Sequence, residues 1–95
     1  MLLSDKLKEL REQTKQPQRK IAAALDIDTA TYSKIENGKY MPNREFVLKL
    51  AKTFGIDSEQ LIKLWLADKL VEVVKDEHVA SEAMKLANCF INRQS

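Results

Sequence analysis

A chain of 95 residues suits one compact domain with a small appended element, and it can bury a modest core with little stability to spare. Hydrophobic residues at 44% and charged residues at 32% exclude a disordered tail, and two glycines with two prolines leave little room for a turn-rich all-β fold. Cys89 and His78 are each the only one of their kind, so an internal disulfide and a Cys/His zinc cluster are excluded, and no metal or cofactor is expected.

The opening "MLLSDKLKEL" sets charges inside its apolar run, which suits neither a signal peptide nor a membrane span, so the expectation is a cytoplasmic protein with no membrane partner. The net charge of +2 says little about partners; its distribution says more. Residues 1 to 57 carry eleven Lys/Arg against eight Asp/Glu, and residues 58 to 95 carry five against six. A mildly basic front and a neutral rear fit nucleic-acid contact in front and protein contact behind. Charges scattered over a helical surface fit the same asymmetry about as well.

The first helix is predicted in "SDKLKELREQT", with Ser4 as N-cap, Leu3 outside it, and Leu7 and Leu10 on one face. Pro17 suits the first position of a second helix, where its missing N–H costs nothing, and Ile21, Ala22 and Leu25 make its core stripe. Asp26 ends that helix, because Asp tolerates the left-handed conformation better than most residues, and Ile27 plugs the turn. Asp28 then caps a third helix, "TATYSKIEN", which stops at Gly38. Tyr32 and Ile35 face its core; Thr29, Ala30, Ser33 and Lys34 remain outside. Asn43 caps a fourth helix with Phe46 or Val47, Leu50, Ala51 and Phe54 inward and Gly55 closing it. After Ile56, Ser58 caps a fifth helix from Glu59 towards Lys75, with room for a bend between Trp65 and Asp68. A last amphipathic helix is predicted over residues 79 to 91, with Val79, Ala83, Leu86 and Phe90 along one side and Asp76 and Glu77 near its start.

Two short helices joined by a tight turn inside an all-helical chain match the helix-turn-helix arrangement, whose second helix enters the DNA major groove. Such a helix needs a free outer face, small residues near its start and a rigid core side. Thr29 and Ala30 supply a hydroxyl and a methyl at the leading edge, with Lys34 further along the same side.

On the residues "PQRKIAAALDIDTATYSKIENG", Pro42 and the closing "LKLAKTFGID", residues 7 to 57 resemble the Cro/C1-type (XRE) family of helix-turn-helix DNA-binding domains. The run Ser33–Lys34–Ile35–Glu36–Asn37–Gly38, with Gln18, Ile21, Ala22 and Leu25 upstream, is the most specific part. The resemblance implies an all-α fold: a five-helix, lambda-repressor-like DNA-binding domain over residues 1 to 66. A helical extension over 67 to 95 would pack on that domain, on a second subunit, or on both. It also implies roles for particular residues. Thr29, Ala30 and Lys34 match the base-facing positions. Gln18 matches the glutamine that clamps a phosphate at the start of helix two. Arg19, Ser33, Asn37, Lys39 and Arg44 fall on the side that meets the DNA backbone. Arg11 and Glu36 match an ion pair, buried or half-buried, that joins helix one to the end of helix three.

There are three departures from the family pattern: Asp26 stands where Gly is usual, Pro17 where Thr is commoner, and Tyr32 where a smaller aliphatic is usual. Asp26 also brings a negative charge towards the phosphates. Tyr40 and Met41 either touch sugar-phosphate or cover the core, and the residues alone do not separate the two.

"LIKLWLADKLVEVV" is apolar at positions 61, 62, 64, 65, 66, 70, 71, 73 and 74, a stripe too wide for one helix face bounded by solvent. A dimer interface centred on Trp65, Leu66, Leu70 and Val74, joined by Phe90, would cover it, as would a last helix folded back on its own chain. His78 is expected at the surface and Cys89 as a small hydrophobe, at least half-buried. The expected function is sequence-specific binding of double-stranded DNA by a homodimeric transcription regulator, most often a repressor. The alternative is an antitoxin whose C-terminal helices hold a protein partner. An enzyme is poorly supported, because one His, one Cys and no phosphate loop leave nothing to perform chemistry.

Overall fold

The computed structural model describes residues 1–94, which form six α-helices and, among them, no strand: α1 (Leu2–Gln13), α2 (Gln18–Ala24), α3 (Thr29–Glu36), α4 (Arg44–Phe54), α5 (Ser58–Val74) and α6 (Ala80–Gln94). The fold is all-α and lambda-repressor-like. Its core joins Leu3, Leu7 and Leu10 of α1, Ile21 and Ala22 of α2, and Tyr32 and Ile35 of α3. Leu25 just past α2, Val47, Leu50 and Ala51 of α4, and Leu61 and Trp65 of α5 complete it.

α1, α2, α3 and α4 end in the same way. The chain turns left-handed two residues past the end of α1, α2 and α3 and one past α4, and the next N–H reaches back to a carbonyl five residues earlier. The left-handed residues are Lys15, Asp26, Gly38 and Gly55, and the returning bonds are Gln16 to Arg11, Ile27 to Ala22, Lys39 to Lys34 and Ile56 to Ala51. Each bond satisfies a carbonyl that the helix end would otherwise orphan. Gly38 is also tightly placed: a Cβ there would lie 3.3 Å from Ser4 Oγ, so a side chain would press on α1 as well as strain the backbone.

Several helix starts differ from the sequence-based expectation. Ser4 does not cap α1; it lies buried inside a helix that begins at Leu2, and its Oγ donates to the Met1 carbonyl at 3.0 Å. The cap comes from α5, where Asp68 accepts the N–H of Leu2 and of Leu3, both at 2.9 Å. A carboxylate at the positive end of a helix is favoured by the dipole, which explains how Asp68 can be buried without a cationic partner. Asp68 falls in the stretch from residue 67 onward and packs there on the front body. Pro17 occupies the capping position of α2 rather than its first turn. Asp57, not Ser58, caps α5, through the Glu59 N–H at 3.1 Å. α5 runs without a break through residues 65 to 68. α6 begins at Ala80, leaving Asp76, Glu77 and His78 in the connecting turn.

The rear departs from a compact shape. The Cα radius of gyration is 15.2 Å, whereas a compact chain of this size would have about 12 Å. The excess comes from α6, none of whose described residues is buried. Cys89, expected to be at least half-buried, is exposed on it, because no described residue covers that side of the helix. No helix among the described residues is long and apolar enough to cross a membrane.

Candidate nucleic-acid interface

The placement of α3 follows from its two ends and one buried side. At its start, Asp28 Oδ1 accepts the Thr31 N–H at 2.7 Å. The hydrogen bonding with Thr31, with the Lys34 cation adding to it, holds the Asp28 carboxyl below its usual range. Tyr32, Ile35 and Glu36 are buried, and they fall on one side of the helix. Thr29, Ala30, Lys34 and Asn37 are exposed, and Ser33 is half-exposed beside them. A helical ridge of small and polar side chains therefore faces away from the core.

At its far end α3 is clamped to α1 and α2. Arg11 Nη2 lies 2.7 Å from Glu36 Oε1, and Arg11 Nε donates to both carboxylate oxygens at 3.1 and 2.9 Å. Arg11 Nη1 reaches the Gln16 carbonyl at 3.2 Å, so one guanidinium ties the end of α1 to the end of α3. Gln18 Nε2 donates to the same Glu36 oxygen at 3.4 Å. Burial pushes the Glu36 carboxyl up, but hydrogen bonds and charge from its neighbours, Arg11 foremost, outweigh it and leave the pKa below the ordinary value. The pairing raises Arg11 in turn. Burial pushes the Tyr32 phenol far above its usual range, with the Glu36 charge adding to the shift. The Tyr32 hydroxyl lies beside that carboxylate without completing a hydrogen bond, the one buried side-chain polar atom so left among the described residues.

The residues expected at the DNA backbone are spread around α3. Arg19, Lys39 and Arg44 are exposed, and Asn37 Nδ2 donates to Ser33 Oγ at 3.3 Å. Gln18 is half-buried, one amide hydrogen already directed at Glu36. Tyr40 is exposed in the loop after α3, while Met41 packs against the core.

Trp65 is the clear correction among the expected interface residues. It is 6% exposed, and its indole N–H donates to the Pro42 carbonyl at 2.8 Å. An indole whose N–H is bonded inside the body holds the loop after α3 and is not offered to a partner. Lys69 Nζ lies 4.2 Å from its ring centroid. Leu66, Leu70 and Phe90 remain exposed, and Val74 is partly so. Sequence reasoning missed both Asp68 and the inward side of Trp65. The signal was the spacing Leu61, Trp65, Asp68, which places an acidic residue on the buried stripe and so requires donors for it.

Comparison with known proteins agrees with this geometry. No curated protein and no solved structure matches the chain. A family model described as a helix-turn-helix domain matches residues 5–66, which takes in the whole of α2, α3 and α4. The chain belongs to the helix-turn-helix family, in its Cro/C1-type (XRE) group.

Proposed function

We propose that the protein is a sequence-specific transcription regulator of the cytoplasm, a repressor that binds a two-fold symmetric operator in double-stranded DNA as a homodimer. The observation that carries this reading is the outward ridge of α3, with Thr29, Ala30 and Lys34 exposed while Tyr32, Ile35 and Glu36 fix the opposite side. A rigid helix with small residues leading can sit deep in the major groove, where a lysine donates to guanine O6 and N7. Arg19, Lys39 and Arg44, with Asn37, Ser33 and Gln18, would hold the sugar-phosphate on either side and supply the affinity common to all sequences. Three base-facing side chains read only a few base pairs, each good contact being worth about 1–3 kcal/mol of discrimination, so one copy would choose its site poorly. Two copies on adjacent half-sites remedy this. No catalytic role is assigned.

Selection from random duplexes tests the reading. Enrichment of an inverted repeat whose half-site centres lie about 34 Å apart supports it, together with affinity that falls steeply as salt is raised. Failure to enrich any motif contradicts it. The uncovered rear helices favour one other reading, an antitoxin-like module whose α5 and α6 hold a foreign protein. A monomeric mass in solution, with those faces still open, would speak for that arrangement.

A further inference from the structure

α5 and α6 each carry an apolar face that nothing among the described residues covers. Leu61, Trp65 and Asp68 of α5 are buried in the body. Ile62, Leu66 and Leu70 line its outer side with Ala67, along an open groove of about 610 Å³ flanked by Glu59 and Lys63. Leu66 and Leu70 are each 49% exposed. On α6 the 3.6-residue period gathers Ala83, Ala87, Phe90 and Ile91 into one arc, and Lys85, Asn88 and Arg93 fall outside it. Phe90 and Ile91 are each 63% exposed.

The chain's own α6 does not fill its own groove. No residue of α6 lines it, and Leu66 and Leu70 stay open to solvent. Val73 and Leu86, 78% and 73% exposed, extend the two faces, and a stable dimer asks each copy to bury about 800 Å², which neither face would supply without the other.

We propose that a second copy of this chain is the occupant and that the two copies exchange arms, α6 of each seating in the outer α5 groove of the other. This rests on the dimeric reading above and specifies its contact. In a two-fold dimer, whatever face a contacts on face b is repeated as b on a. An α5-on-α5 contact would leave both α6 arcs in water, and an α6-on-α6 contact would leave both grooves open. Setting α6 on the partner's α5 covers all four faces at once, with two extended arms that the body does not otherwise hold.

The test is a disulfide pairing in a Cys89→Ser background, preceded by the sedimentation mass of the unaltered protein. One chain carries Leu66→Cys or Leu70→Cys, and a second chain of different mass carries Leu86→Cys or Phe90→Cys. All four positions are exposed, so folding is expected to survive, and circular dichroism melting checks it. After mixing and oxidation, exchange predicts that in at least one of the four pairings the mixed disulfide exceeds either self-disulfide several-fold. Dominant self-disulfides, no cross-link in any pairing of a dimeric protein, or a closed loop at monomer mass when both cysteines share a chain would each overturn the exchange and leave a dimeric regulator standing. A monomeric mass for the unaltered protein would overturn the exchange and the dimer together, while operator selection reports on DNA recognition separately.

Discussion

Arg11 grips Glu36 with three hydrogen bonds, the shortest 2.7 Å, across 25 residues of sequence. The Glu36 side chain is fully buried and that of Arg11 is 17% exposed, so the two sides of the pair are unequal. Removing Arg11 strands a carboxylate at the C-terminal end of α3, where the helix dipole also disfavours negative charge. Arg11→Ala should therefore cost about 3 kcal/mol or more, as expected for one partner lost from a buried pair. Glu36→Gln leaves a guanidinium that can turn to water, and should cost about half as much. Denaturant melts of both variants check the order; equal or reversed losses would contradict it.

Stability should fall at both ends of the pH scale for separate reasons. Glu36 has a folded pKa below its ordinary 4.5, so its contribution is complete above that value and is lost as pH drops through the folded pKa. The Tyr32 phenol is raised above its ordinary 10.0, so its contribution is complete below pH 10 and is lost as pH climbs beyond. Tyr32→Phe should flatten the alkaline limb, and at neutral pH it should change stability little, because the hydroxyl it removes has no hydrogen bond. Thermal melts of the wild type and this variant across pH measure both limbs.

Asp68 is expected to matter to α1, although it lies more than sixty positions away in the chain. Asp68→Ala leaves two helix-start N–H groups without acceptors and should cost about 2 kcal/mol. Asp68→Asn keeps one acceptor and should cost less. Hydrogen exchange at Leu2 and Leu3 would show the loss locally, and unchanged protection in Asp68→Ala would argue against the cap.

Asp26 has a φ of 59°, in the left-handed region where glycine is unstrained. Asp26→Gly should raise stability by about 0.5–1 kcal/mol, the relief of strain exceeding the extra freedom of the unfolded chain. Lys15, at a φ of 55°, should respond in the same direction. A fall in the unfolding midpoint for Asp26→Gly would contradict this account of the turn.

Much of the front body was legible because its signals are local. Asp28 and Asn43 cap the helices they precede, and Gly38 and Gly55 stop the ones they follow. Ile21, Ala22 and Leu25 carry their burial in their spacing. The misread features depend on distant residues. Ser4 looks like a cap until Asp68 arrives from α5 and lets α1 start at Leu2. Trp65 looks like an interface anchor until its indole finds the Pro42 carbonyl, 23 residues away. Lys15 gave no warning, since a lysine rarely takes the left-handed turn, and the turn there is fixed by the return of Gln16 to Arg11. Of the site, the residues on the α3 ridge follow from helical period; the sharing of Glu36 between Arg11 and Gln18 needs three helices brought together.

The central claim is that the outer ridge of α3 reads base edges, and paired affinity measurements test it most directly. Lys34→Ala and Lys39→Ala are each titrated against the selected operator and against random duplex at matched salt. Lys34→Ala should lose operator affinity by about 1–3 kcal/mol, with relaxed preference at one position of each half-site and little change on random DNA. Lys39→Ala, just past the end of the helix, should weaken both duplexes alike and reduce the salt slope by about one. Equal losses on operator and random DNA for Lys34→Ala would contradict base reading by α3.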